Sequence, residues 1–267
     1  ETPDDNMVLI LFGDVPLLTS ATLQRLIDAT SDDEVSVLTV DMDDPTGYGR
    51  IIRAPDERVL RIVEQRDATP DELDVREVCT SIYAFRRDLL GPALRNLKTD
   101  NAQGEYYLTD VIAMAVSDGV TVHGVKADSM VEVMGINDKK QLAEAERALQ
   151  ARLVDELMAQ GVGFADPARV DIRGKLVCGK DVFIDVNAVF EGNVSLGDGT
   201  VIESNNLVRD SELGPGTLLH SNCHLEGAKT GSNCEIGPFA RMRPGATLAD
   251  NVKLGNFVEV KKSFISD

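Results

Sequence analysis

At 267 residues the chain is long enough for two modest domains, each with a core of its own. A net charge of −18 and a pI near 4.5 exclude nucleic acid and anionic lipid as partners, because like charges repel. No apolar run reaches membrane-spanning length and no charged-then-apolar leader opens the chain; its four cysteines lack C-x-x-C spacing, so neither zinc nor a disulfide framework is implied and a reducing cytoplasm is expected.

Met7 to Phe12 is an unbroken apolar run, the form of a central parallel strand buried on both faces. Gly13 and Pro16 end it and leave Asp14 just past its carboxyl end, where ligands bind in open α/β sheets. A carboxylate there can hold a hard cation such as Mg²⁺, with phosphate oxygens as further ligands. It can equally order the turn before Pro16. A metal-site strand this early, behind a first residue that is Glu, predicts an incomplete chain.

Ser20 is the expected N-cap of a helix with Leu23, Leu26 and Ile27 on one face, and Val35–Val40 reads as the next strand. Strand, helix, strand in that order predicts a right-handed crossover and a parallel sheet. Asp43–Arg50 is rich in turn residues, with Gly47 and Gly49 flanking Tyr48; it reads as a tight turn or as a loop whose backbone approaches a ligand. Ile51–Arg53 and Val59–Glu64 form a predicted hairpin around Pro55-Asp56, Glu64 being a solvated edge carboxylate or a ligand contact. Val78–Phe85 is a strand, followed by a helix through Leu89, Leu90, Leu94 and Leu97. The segment 101–110 leads into a short helix, and a strand follows near Val120–Val125. A long helix is expected over about residues 138–160, with Leu142, Leu149, Leu153 and Leu157 on one stripe and Asn137 placed to cap it.

After Gly161 apolar residues recur at every sixth position: Ile172, Cys178, Ile184, Phe190, Leu196, Ile202 and Val208. The register slips by one to Leu213, Leu219 and Leu225, then resumes as Ile236, Met242, Leu248, Leu254 and Val260. Two places before most of the later ones sits a small or β-branched residue: Cys234, Ala240, Ala246, Val252, Val258. A period of six fits neither a helix nor a two-sided strand; it is the mark of a hexapeptide-repeat β-helix, of which about five coils are present. The absence of a capping segment after the last coil again predicts an incomplete chain. The organisation expected is 1–137 α/β domain, 138–161 linking helix and 162–267 β-helix.

An α/β domain with Phe12-Gly-Asp-Val-Pro-Leu17, continued by a hexapeptide β-helix, resembles the bacterial bifunctional N-acetylglucosamine-1-phosphate uridyltransferase and glucosamine-1-phosphate acetyltransferase family. The matching stretches are Phe12–Leu17, Asp43–Arg50, Ile62–Ala68, Asn101–Asp110, Asp166–Gly174, Ile236–Ala246 and Gly255–Lys262. The resemblance implies a partial Rossmann-like nucleotidyltransferase sheet followed by a left-handed parallel β-helix. It implies Mg²⁺ on Asp14 and Asn137, and UDP-N-acetylglucosamine held through Gly13, Gly49 and Glu64, with Thr109 as a further sugar contact. Cys79 stands where the family has an Asn that contacts the sugar, and a thiol is a weak donor and poor acceptor. Arg243 and Lys261 would grip the phosphate of an amino-sugar phosphate, a task suited to a guanidinium fork and an ammonium point charge. UTP, acetyl-CoA and a homotrimeric assembly are implied for the full-length family.

The family's Gly-rich UTP loop and the acetyltransferase's general-base His have no counterpart in these 267 residues, and His123, His220 and His224 fall outside that motif. The expectation is therefore enzymatic by family, with the chain inactive by itself. Another sugar-1-phosphate nucleotidyltransferase with a β-helix tail, and a non-catalytic trimeric remnant, are the alternatives.

Overall fold

The computed structural model describes residues 7–30 and 34–266. The chain divides into two units, residues 1–145 and 146–267. The first contains β1 (Met7–Ile10), α1 (Ser20–Asp28), β2 (Glu34–Asp41), β3 (Arg50–Arg53), β4 (Val59–Val63) and the single-turn α2 (Pro70–Leu73). β5 (Glu77–Arg86), α3 (Arg87–Asn96), α4 (Asp110–Ser117) and β6 (Thr121–Lys126) follow, and α5 (Lys139–Ala159) begins in this unit and ends in the second.

The sheet runs β4-β3-β5-β2-β6, with β1 also paired to β5. β5 is the centre: β2 pairs with it antiparallel, as do β3 near its start and β1 near its end. β1 and β2 are therefore parallel to each other but separated by β5, and β2–β6 is the parallel ladder among the described strands of this sheet. The sheet is mixed: the expected hairpin is present as antiparallel β3–β4, whereas β1 and β2, expected to lie in a parallel sheet, each pair antiparallel with β5. β1 is likewise not a doubly buried central strand: its residues are exposed to half-buried, and Phe12 beyond it is 49 % exposed. An apolar run permits cover on both faces; it does not supply the neighbour, and β5 is the partner described here.

Side chains settle on the two faces by the pleat. Val35, Val37, Tyr83 and Phe85 meet Leu90, Val111 and Ile112 from α3 and α4. Leu38, Ile82 and Ala84 meet Leu26 of α1. Full burial of a side chain such as Ile82 contributes about 1.5–3 kcal/mol. α1 is capped by Thr19 rather than Ser20: the Thr19 hydroxyl accepts from Thr22 N–H at 3.1 Å. At the start of α5, Asp138 takes the capping role: its carboxylate accepts from Gln141 N–H at 2.8 Å, while the Gln141 side chain accepts from Asn137 N–H at 2.7 Å. The Asn137 side chain is thereby left out of the cap.

The second unit is a parallel β-solenoid of stacked three-sided coils, the left-handed hexapeptide type. One side stacks Phe183–Ile184, Val201–Ile202, Leu218–Leu219, Glu235–Ile236 and Lys253–Leu254. The long strands Val170–Cys178 and Ala188–Leu196 serve both other sides, which continue separately as Leu207–Arg209, His224–Glu226, Arg241–Met242, Glu259–Val260 and as Glu212–Leu213, Lys229–Thr230, Thr247–Leu248, Phe264–Ile265. The hexad residues are inward and buried, Cys178 excepted, which is half-buried. The gap in the period between Leu225 and Ile236 has a physical cause. Thr230 takes the inward place, and its hydroxyl accepts from Gly214 N–H at 2.9 Å.

Within this unit the end of α5 closes the first coil. Gln150 is buried and behaves like one more strand, donating to Ile172 C=O at 2.9 Å and accepting from Ile172 N–H at 2.7 Å. Val154 and Leu157 join the solenoid core. The face of the helix turned to the solenoid is thus Gln150, Leu153, Val154 and Leu157, which keeps two residues of the expected leucine line, while Leu142 is 55 % exposed. Leucine spacing alone did not show which turns of a long helix meet a core.

Candidate active site

Four segments of the first unit converge on a cavity of about 200 Å³ beyond the carboxyl ends of β1 and β2. Its walls include Asp14, Tyr48, Thr80, Ser81, Met134 and Asn137. Asp14 and Asn137, read from the sequence as one pair, do share this cavity. Main chain brings them together: Ile136 N–H donates to Asp14 C=O at 2.9 Å. A buried carboxylate ties the same two stretches a second time. Glu132 accepts from Thr19 N–H at 3.0 Å and from the Thr19 hydroxyl at 2.7 Å. Burial works to raise the Glu132 pKa, but the threonine hydrogen bonds outweigh it and hold the carboxyl below its ordinary value.

Gly135 lets the strap pass close to the carboxylate, for a Cβ there would stand 3.3 Å from Asp14 Oδ2. Among the described residues nothing hydrogen-bonds the Asp14 carboxylate or the Asn137 amide, so both keep their oxygens for a ligand. One carboxylate and one amide oxygen suit a hard divalent cation that takes its other ligands from water and substrate phosphates. No cluster of three or more His, Cys, Asp or Glu side chains able to hold a metal exists among the described residues. Gly13 lies in the turn after β1, with open space where a Cβ would be.

A second cluster lies beside the Tyr48 wall. Gly49 approaches β4 closely: a Cβ would fall 2.9 Å from Ile62 Cγ2 and 3.5 Å from Glu64 Oε1. Gly49 C=O accepts from Cys79 N–H at 2.8 Å. The Thr109 hydroxyl donates to Glu64 Oε1 at 3.0 Å, so Thr109 fixes that carboxylate. Gly49, Glu64, Cys79 and Thr109 are therefore neighbours, as the sequence suggested. Cys79, however, is buried and not part of the cavity wall. Its Sγ lies 3.2 Å from the Tyr83 hydroxyl and accepts from Ser81 N–H at 3.2 Å, while burial pushes the thiol up to about 11.

Sequence reading passed over Arg50. It is 2 % exposed, and its guanidinium donates to Tyr48 C=O and, at 2.8 Å, to Gln65 Oε1. Gly47 N–H donates to the same Gln65 oxygen at 3.2 Å. Arg50 thus clamps the glycine loop on both sides of Tyr48. No ion pair to Arg50 occurs among the described residues, and an arginine directly after a glycine loop looks solvated in a one-dimensional reading.

In the second unit Arg243 and Lys261 lie in consecutive coils: Met242 pairs with Val260, and Arg243 N–H donates to Val260 C=O at 2.9 Å. Arg243 is held by Glu259 at 3.0 Å, and Lys261 is exposed. His220 sits between Glu203 and Glu235 at 3.2 and 3.0 Å, and His224 lies on a neighbouring side of the solenoid.

Comparison with known proteins agrees with both halves. Residues 2–131 match the nucleotidyl transferase family and residues 227–262 the bacterial transferase hexapeptide family (six repeats). The chain is 51 % identical to the bifunctional protein GlmU of Burkholderia multivorans, over 96 % of this chain and 57 % of that protein. It is 52 % identical to that of an Azoarcus species (98 % and 58 %) and 51 % identical to that of Aromatoleum aromaticum (99 % and 58 %). The chain thus spans a little over half the length of these relatives. No helix among the described residues is long and apolar enough to cross a membrane.

Proposed function

We propose, from the premise that this chain belongs to the bifunctional GlmU family over the part of those proteins it spans, that it serves UDP-N-acetylglucosamine formation. In this reading residues 1–137 belong to the uridylyl-transferring part, 138–161 link, and 162–267 belong to the acetyl-transferring β-helix. The first reaction is attack by N-acetylglucosamine-1-phosphate on the α-phosphorus of UTP, with pyrophosphate leaving. The second is acetyl transfer from acetyl-CoA to glucosamine-1-phosphate. Assembly as a homotrimer in the cytoplasm belongs to the same reading.

The observation that carries it is the meeting of Asp14 and Asn137 in one cavity, with both side chains free of other hydrogen bonds among the described residues. They would hold a divalent cation, which we assign as Mg²⁺; when bound it offsets phosphate charge. The phosphate nucleophile is already ionised, so the protein's task is alignment. Gly49 and Glu64 orient the sugar, Thr109 holds Glu64 in place, and Arg50 stiffens the loop that presents Gly49. Cys79 contributes through its backbone, because its sulfur is engaged inside. In the β-helix, Arg243 and Lys261 would bind the phosphate of the amino sugar, with Glu259 as the anion that this phosphate displaces. The stacked, exposed Phe239 and Phe257, 5.3 Å between ring centroids, offer apolar surface for a second copy to cover.

Calorimetric titration with UDP-N-acetylglucosamine tests the first site. Binding should require Mg²⁺ and disappear in Asp14→Ala; binding indifferent to metal and mutation would refute the assignment.

A further inference from the structure

The Thr80-Ser81 stretch of β5 faces the same cavity as Asp14 and Asn137, and it holds an unusual backbone. Ser81 has φ +60°, in the middle of a strand. Residues other than glycine adopt that left-handed region only where the surroundings impose it, and such positions gather at ligand sites. The ladder records the disturbance, for the β2–β5 register shifts between Val37 and Thr39, opposite this stretch. The hydroxyls of the stretch are not equivalent. Thr80 donates its proton to Leu38 C=O at 2.8 Å and so anchors the strand. Ser81 instead ends a small polar chain. The buried Tyr83 hydroxyl lies 3.2 Å from Cys79 Sγ, and that sulfur accepts from Ser81 N–H at 3.2 Å. Tyr83 and Cys79 are sealed in the core; Ser81 is half-buried on the cavity wall. A hydroxyl has one proton and two lone pairs with which to meet a ligand.

We propose that Ser81 is a further sugar-contacting and specificity-determining residue, its Oγ making a hydrogen bond to a hydroxyl of the sugar in the sugar nucleotide. The assignment rests on the reading of the cavity given above. The turned backbone presents Ser81 to the ligand, and the Ser81 N–H bond to Cys79 Sγ holds that turn. Glycine prefers the same φ, so Ser81→Gly removes the hydroxyl while relaxing the backbone.

The experiment is calorimetric titration of the 267-residue chain and its Ser81→Gly and Asp14→Ala variants. Mg²⁺ is present, and the probes are UDP-N-acetylglucosamine and, separately, UDP, which has the diphosphate and no sugar. Ser81→Gly should melt at or above the wild-type temperature, bind the sugar nucleotide about three- to tenfold more weakly, and bind UDP unchanged. Loss of sugar-nucleotide binding in Asp14→Ala beside unchanged binding in Ser81→Gly overturns the proposal and leaves the metal site standing. Equal weakening for both probes in Ser81→Gly also overturns it, since the hydroxyl then acts on the fold. Binding that ignores Asp14→Ala, or no binding by the wild type, removes the site reading and this proposal with it.

Discussion

The two units build order by opposite rules. In the solenoid each inward residue lies over its equivalent one coil earlier and under its equivalent one coil later: Ile184, Ile202, Leu219, Ile236 and Leu254 form one such column. Neighbouring coils are all that such a residue meets, so stability is close to a sum of like terms. In the α/β unit the decisive contacts join stretches remote in sequence, such as Thr19 with Glu132 and Arg53 with Glu77, and none has a duplicate. Regularity makes the first kind of unit robust in design and uniform in chemistry. Singularity makes the second kind able to gather a carboxylate, an amide and hydroxyls around one cavity.

Removing a column residue should disturb the solenoid most. Leu219 is fully buried, and Leu219→Ala should cost about 2–5 kcal/mol, with the loss of hydrogen-exchange protection greatest in the coils containing Ile202 and Ile236. Uniform loss along the whole solenoid would show longer-range cooperativity than stacking implies.

In the α/β unit the nearest counterpart is ionic. Arg53 donates to both oxygens of Glu77, at 2.7 and 2.6 Å, and Thr39 donates to Glu77 as well at 2.6 Å, joining β3, β5 and β2. Burial works to raise the Glu77 pKa, yet Arg53 and Thr39 bring it below its ordinary value. Arg53→Ala strands that carboxylate and should destabilise the first unit by about 3 kcal/mol, read from urea unfolding followed in the near-ultraviolet. Glu77→Gln beside Arg53→Ala should recover part of the loss, since no stranded charge remains. Failure to recover would mean that the sheet is held there by packing alone.

These cases show what was legible. The solenoid could be read because a period of six has few explanations, and even its missing beat was visible, though not that Thr230 would fill it through a hydrogen bond to Gly214. Asp14, Gly49, Glu64, Thr109 and Asn137 were legible as members of a resemblance, and the structure brings them to two adjoining clusters. Arg50, Glu132 and Glu77 were not, because a charged residue looks solvated until its buried partner is known. β1 is apolar throughout, and in this chain it pairs with β5 and is exposed to half-buried.

The glycine loop depends on Arg50 to a lesser degree. Arg50→Gln leaves Tyr48 C=O and Gln65 short of a donor and should destabilise the first unit by about 1–3 kcal/mol. Proteolysis should then cut first in residues 43–50, and sugar-nucleotide affinity should fall further than the melting temperature suggests. Unaltered proteolysis would show that the loop holds its shape without the clamp.

The smallest expected effect tests whether stacking can also carry charge. On one face of the solenoid Glu203, His220, Glu235 and Lys253 follow one another through consecutive coils, His220 touching both carboxylates and Lys253 bonded to Glu235 at 2.9 Å. The Glu235 hydrogen bond first, and then Glu203, raise the His220 pKa above its ordinary 6.5. A raised folded value means that the imidazolium's contribution is complete below about 6.5 and disappears as pH climbs through the folded pKa. Glu235 has the opposite sign: Lys253 and His220 lower its pKa, so its contribution holds above the ordinary 4.5 and fades as pH falls through the folded value. The melting temperature of the solenoid should therefore be highest between about pH 4.5 and 6.5 and slope gently downward on the alkaline side. His220→Gln should flatten that alkaline slope, whereas Lys253→Gln should leave it in place. Both groups are partly hydrated, so the slope should shrink further in 0.5 M NaCl. A slope that persists in His220→Gln would assign the pH dependence elsewhere and leave the charge ladder a passive neighbour of the apolar columns.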